Sequence, residues 1–158
     1  MHRAHPGFTM LELAIVMTMM GLLTAMALPK VRAGKAGADL RAARAATASY
    51  ANQARRLAIA RGAPVRLRLN NPSANKVVLS LDDGTIVAGP IDLKTQWGVT
   101  LTAATKSGTN VSVVRFDKHG LARDIGTETR VIRLQSATGK LDSVCISGAG
   151  MIMRGTCR

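Results

Sequence analysis

Acidic side chains are scarce in this chain: nine Asp and Glu stand against 22 Lys and Arg, which leaves a net charge of +13. A surface so far from neutral attracts polyanions such as nucleic acid, anionic lipid or acidic polysaccharide. The same excess also serves to keep a protein soluble or to pair it with acidic neighbours in an assembly, and composition leaves both readings open. Aromatics are rarer still, with two Phe, one Tyr and one Trp, so the core must be filled by Val, Leu, Ile, Ala and Met. Stacking of bases on rings, the usual sequence-tolerant grip on single strands, has little to work with. His2 and His5 precede the apolar run and His119 stands alone, so no cluster has metal-ligand spacing. No nucleophile sits beside a base and no glycine loop could cradle a phosphate, while Asp82 and Asp83 read as turn residues. The chain is therefore expected to be no enzyme and to carry neither metal nor cofactor. Only two cysteines occur, Cys145 and Cys157, close together near the C-terminus. In an oxidising compartment such a pair would close a small loop.

What the chain has instead is one long apolar run near its start. Phe8 to Leu28 contains a single charged residue, Glu12. At 1.5 Å per residue the run rises about 31 Å, the thickness of a hydrocarbon core. Only Met1 to Gly7 precede it, and the run exceeds the h-region of a secretory signal, so a cut before it leaves the membrane helix on the mature chain. Glu12 is the anomaly, because a carboxylate well inside a bilayer costs about 2.5–3.5 kcal/mol on insertion scales. Flanking charge points the other way from the leader: Lys30, Arg32 and Lys35 outnumber Arg3, and the positive-inside rule taken alone reverses the orientation.

Beyond Pro29 the chain stays helical in character up to Arg61, rich in Ala, with Tyr50, Ala54 and Leu57 at three- and four-residue spacing and most arginines elsewhere on the cylinder. Pro29, Gly34 and Gly37 are candidate places for a bend or local unwinding. Gly62-Ala63-Pro64 ends the helix, and from Val65 the period becomes two. Strands are expected at Val65–Leu69, Lys76–Leu81, Thr85–Ala88, Val99–Ala103, Val111–Phe116, Thr129–Gln135 and Leu141–Ile146, with a last short one at Met151–Met153. Val99–Ala103 and Val111–Phe116 are expected to pair with each other, and a loop to pass through Pro90 and Trp97. One membrane helix and one ordinary domain fill 158 residues. The fold class is α+β, a long N-terminal helix whose second half packs on an antiparallel sheet.

Gly7-Phe8-Thr9-Met10-Leu11-Glu12 resembles the signal of type IV prepilins and pseudopilins: a short basic leader ending in Gly, an aromatic first mature residue, and Glu four positions later. The resemblance implies cleavage by a prepilin peptidase between Gly7 and Phe8, methylation of the new amine, and polymerisation through the apolar helix. The chain would then divide into a leader at 1–7, a membrane and polymerisation helix at 8–29, and a periplasmic pilin-like domain at 30–158. Glu12 would pair with the free amine of Phe8 in an adjoining subunit, while Thr9 reads as a helix-start residue. Further on, Val114-Arg115-Phe116-Asp117-Lys118-His119-Gly120-Leu121, Val131-Ile132-Arg133-Leu134 and Val144-Cys145-Ile146-Ser147 ahead of Gly148 and Gly150 resemble the GspH/FimT pseudopilin pattern. FimT-like members carry DNA-binding arginines in a Gly-Arg-x-Arg segment near the C-terminus; the stretch here is Gly150-Met151-Ile152-Met153, with methionine at both arginine positions. Arg154 and Arg158 follow it, and Arg66, Arg68, Arg130 and Arg133 could extend a patch along the sheet.

Three functions are expected from these readings. The first is a minor pseudopilin of a type II secretion system, GspH-like, near the tip of a short filament. The second is a FimT-like minor pilin that binds DNA, weakly and without sequence preference. The third, of another class, is a membrane-anchored periplasmic binding protein that never polymerises. The first two imply other pilin subunits, prepilin peptidase and inner-membrane assembly machinery as partners, and a single-pass inner-membrane location with the C-terminal domain in the periplasm.

Overall fold

The computed structural model describes residues 9–70, 73–105, 112–126, 128–155 and 157, with the side chains of 27–33, 104, 105 and 154 outside that description. Compact units fall at Met1–Lys35 and Ala36–Arg158. Helix α1, Met10–Arg61, runs through the boundary, and its helical assignment is continuous past Pro29, Gly34 and Gly37, so the local unwinding expected there does not occur. Thr9 starts it: the hydroxyl oxygen accepts from the Glu12 backbone N–H at 3.2 Å, satisfying one of the donors a helix start leaves open. Gly62, at φ 60°, ends it ahead of Pro64.

In the first unit the side chains of Met10, Leu11, Leu13, Ile15, Val16, Met17, Met19, Met20, Leu22, Leu23 and Met26 all stand exposed. They surround the helix rather than forming one stripe. Among the described residues no helix is long and apolar enough to cross a membrane. The expected span from Phe8 to Leu28 begins outside the described residues, and at its far end the side chains of Ala27 and Leu28 are outside that description.

In the second unit α1 buries Leu40, Ala43, Thr47, Ala48, Ala51, Ala54 and Ala58, a three- and four-residue progression. The apolar side chains of this line join strand residues such as Leu67, Val114 and Ile132 in one core cluster. Tyr50 and Leu57 flank the line, half-buried against the core. Among the described residues eight strands follow: β1 Val65–Leu69, β2 Lys76–Leu81, β3 Ile86–Asp92, β4 Thr100–Thr105, β5 Val113–Phe116, β6 Arg130–Gln135, β7 Leu141–Ile146 and β8 Ile152–Arg154. They form two four-stranded antiparallel sheets, ordered β3-β2-β1-β5 and β4-β6-β7-β8. The expected pairing of β4 with β5 is overturned: β4 pairs with β6, Leu101 opposite Leu134, and β5 returns to β1, Val114 opposite Leu67. Val65, Leu67 and Leu69 are buried while Arg66 and Arg68 face the other side, which is the alternation their sequence spells.

Two short elements were not legible in the sequence. Helix α2, Leu93–Trp97, occupies what reads as loop; Asp92 caps it by accepting from Lys94 and Thr95 N–H, and Leu93 is its buried anchor. A 3-10 turn at Arg123–Ile125 buries Ile125.

The two sheets are tied by the β1–β2 turn. Asn70 and Asn75 take positive φ, 57° and 65°, which Asn tolerates better than most residues. Asn75 Oδ1 accepts from Leu101 N–H at 2.8 Å, and Asn70 Nδ2 donates to Leu101 C=O at 3.4 Å. Side chains from the first sheet thereby satisfy an edge residue of the second, where an open edge would invite another strand. On another flank, the turns after β5 and before β8 meet at glycines: a Cβ on Gly120 would reach Ile59 Cδ1 at 2.7 Å, and one on Gly150 would strike the Gly120 carbonyl.

Candidate functional site

The residues singled out in the sequence gather in three places. Gly7 and Phe8 lie outside the described residues. Glu12 occupies the first turn of α1, three residues after the Thr9 cap, where a carboxylate also complements the positive end of the helix dipole. The helix start therefore accounts for an acid at this position locally, and an apolar stretch follows it.

Cys145 and Cys157 form a disulfide with Cα atoms 5.7 Å apart. Cys145 lies on β7 and the bond anchors the chain just beyond β8. Gly155 N–H donates to Ser143 C=O at 3.0 Å and Ser143 Oγ donates to Gly155 C=O, so the covalent link continues a ladder already formed.

The basic residues divide into paired and unpaired. Arg66 donates from Nε to Asp82 Oδ1 at 2.7 Å, and Arg115 donates from Nη2 to Asp82 Oδ2. Asp82 is thus more than a turn residue: partial burial pushes its carboxyl up, but the guanidiniums of Arg115 and Arg66 outweigh that and hold it below the usual carboxylate range. Arg44 pairs with Asp142 of β7 at 2.9 Å, joining α1 to the second sheet. Arg130 donates to Asp124 C=O at 2.8 Å. Arg123 pairs with Asp117 at 2.9 Å. Burial raises Asp117 as well, and the Leu121 and His119 N–H groups and Arg123 bring it below its ordinary value. Asp83 is held low by the Thr85 N–H and serves its turn. Among the described residues no acid pairs with Arg68 or Arg133. Arg154 belongs to β8 by its backbone, its side chain lying outside the described residues, as does Arg158 altogether.

Met151 and Met153 are 55% and 44% exposed, flanking Ile152, which packs toward the core. The two positions face solvent as a surface binding segment would, but present thioethers in place of charge. A groove of about 450 Å³ opens on the same sheet, lined by Val131, Arg133, Leu141, Ser143, Gly155 and Cys157. Among the described residues no group of three His, Cys, Asp or Glu could hold a metal ion, and His119 is exposed on its turn.

A long N-terminal helix ahead of an antiparallel-sheet domain is the α+β arrangement of the pilin fold. The family model described as the prokaryotic N-terminal methylation motif matches residues 2–28. Two crystal structures of the type IV minor pilin FimU of Pseudomonas aeruginosa share the fold. The P21 form is 22% identical, with a TM-score of 0.51 over 74% of this chain and 88% of that one. The P65 form is 19% identical, with a TM-score of 0.52 over 74% of this chain and 93% of that one. Among curated proteins, none matches the sequence.

Proposed function

We propose that the chain is a minor filament subunit of the type IV pilus and type II secretion class. In this reading it is made with a seven-residue leader, cut between Gly7 and Phe8, methylated at Phe8, and held in the inner membrane by residues 8–29 until the assembly machinery draws it into a filament. Residues 30–158 project into the periplasm. The observation that carries it is the first part of α1: eleven large apolar side chains from Met10 to Met26 stand exposed around a stretch of helix whose one acid is Glu12, in the first turn. A helix apolar all round needs lipid or other helices to cover it. In a filament, neighbouring helices do so, and Glu12 pairs with the amine of an adjoining Phe8, offsetting the cost of burying either charge alone.

The match to a minor pilin favours a pilus subunit. The second reading, a secretion pseudopilin of the GspH kind, is favoured by Met151 and Met153 standing where a FimT-like DNA site carries arginine. Deleting the gene separates the two, since one reading expects loss of pili and the other loss of exoprotein secretion.

The assembly role itself is tested by Glu12→Ala. The variant should insert in the membrane as well as wild type or better, because a buried carboxylate is removed, while its share in sheared filaments falls several-fold. Undiminished incorporation would refute the role given to Glu12.

A further inference from the structure

The two sheets end in four outer strands, β3, β5, β4 and β8, and the first three carry something that discourages a further strand. β3 shifts its register with β2 and holds Pro90, which has no N–H to offer. On β4, Leu101 is engaged by Asn70 and Asn75. β5 is closed at Phe116 by a bridge to Ala122. Among the described residues β8 has no such device: it pairs with β7 in unbroken register, and no strand lies beyond it. The pairing outlasts the strand itself. Ser147 N–H donates to Met151 C=O at 3.0 Å, and Gly155 N–H donates to Ser143 C=O at 3.0 Å. Hydrogen-bonded pairs recur at every second residue of an antiparallel ladder, so Met151, Met153 and Gly155 turn their backbone groups toward β7. Ile152 and Arg154 turn theirs outward. Met151 and Met153 share one exposed face, while Ile152 packs toward the core.

We propose that the open edge of β8 takes up an extended, acidic segment of a partner protein as a further strand of this sheet, with apolar residues at alternate positions against Met151 and Met153. The outward N–H and C=O groups of Ile152 and Arg154 supply the main-chain bonds of strand addition, and the two thioether side chains supply apolar contact. Methionine suits that role, because its flexible, polarizable side chain packs against partners of irregular shape. Charge sets the sign of the partner. Arg55 of α1 lies against Gly150 just before the strand, Arg154 ends the strand, and Arg158 follows. Among the described residues no acid pairs with Arg55. A second copy of this chain is disfavoured as the occupant, since both copies would bring a net charge of +13 to the contact. The edge gives the exposed methionines a use that the filament reading leaves open, and it does not rest on that reading.

Full-length protein in micelles of an uncharged detergent, titrated with end-blocked octapeptides, tests this. The probes are a peptide of alternating Val and Glu, the same peptide N-methylated at every residue, and a peptide of alternating Val and Lys. The Val/Glu peptide should bind and slow amide exchange at Ile152 and Arg154 several-fold, leaving the Leu101 amide unchanged. The N-methylated peptide, which has lost its donors, and the Val/Lys peptide should not. Arg154→Pro removes one outward donor and keeps the bonds to β7, so it should weaken binding by about three- to tenfold beyond Arg154→Gln, the scale of one main-chain hydrogen bond. Met151→Ser with Met153→Ser should also weaken binding while exchange at Met153 in the free protein stays as in wild type. If Arg154→Pro fails to fold, the N-methylated peptide carries the test of strand addition. No protection of Ile152 and Arg154 at millimolar Val/Glu peptide would overturn the proposal. Equal binding of the N-methylated peptide would overturn it as well, because the contact would then be made by side chains alone, and equal binding of the Val/Lys peptide would refute the acidic partner.

Discussion

Single residues in this protein carry more than their type announces. Asn75 reads in the sequence as one more loop residue, yet its side chain accepts the N–H of buried Leu101 and its own backbone sits at φ 65°. Asn75→Ala should therefore lower stability by about 1–3 kcal/mol through the orphaned donor, with strain at positive φ added. Asn75→Asp, which keeps an acceptor, should recover much of it. Thermal unfolding of both variants checks this; equal losses would detach the effect from the Leu101 bond. The aspartates make a second test. Asp82, Asp92 and Asp117 all sit below the ordinary carboxylate range, so each takes up protons less readily folded than unfolded. Their contribution is present above the unfolded value of about 3.9 and is lost as pH falls through the folded values. The melting temperature should hold steady from neutral pH to about 5 and drop below about 4, less steeply in Asp82→Asn. A drop already complete between pH 7 and 5 would point to other groups.

Elements were legible in proportion to their length and periodicity. The α1 pattern declares itself through 52 residues of alanine-rich and apolar sequence, and β1 through strict alternation of Val, Leu and Arg. Helix α2 did not, because five residues with one buried anchor give no period, and its cap at Asp92 resembles any turn aspartate. Adjacency in sequence misleads at β4 and β5, since neighbouring strands usually pair; here β5 crosses to β1, leaving the free side of Leu101 to Asn70 and Asn75, an interaction with no sequence signal. The Gly7-Phe8 and Glu12 motif was plain in the sequence, whereas the Asp82 bridge across Arg66 and Arg115 needed strand register to be seen. At the C-terminal end, the disulfide fastens a strand of only three residues, β8. Cys145→Ala with Cys157→Ala should cost about 3 kcal/mol on chain-entropy grounds and loosen β8 first. Amide exchange at Met153, whose register partner is Cys145, reports that loosening; unchanged protection would show that the ladder alone suffices.

At the scale of the whole chain, two kinds of surface are set on one polypeptide. Residues 10–26 form an apolar cylinder, and the 36–158 unit is a closed α+β core whose excess of cations lies outside it. The first surface calls for covering by lipid or by like helices, the second for a polyanion, and a filament subunit can satisfy both at once. In the proposed reading, assembly depends on removal of the leader, since pairing with Glu12 would need a free amine at Phe8. Mass spectrometry of the protein recovered from membranes of cells that hold a prepilin peptidase is the most direct measurement. The mature chain should begin at an N-methylated Phe8, and Gly7→Val should leave the leader attached. Full-length protein in the wild type, with its mass unaltered when the peptidase is deleted, would contradict the assignment.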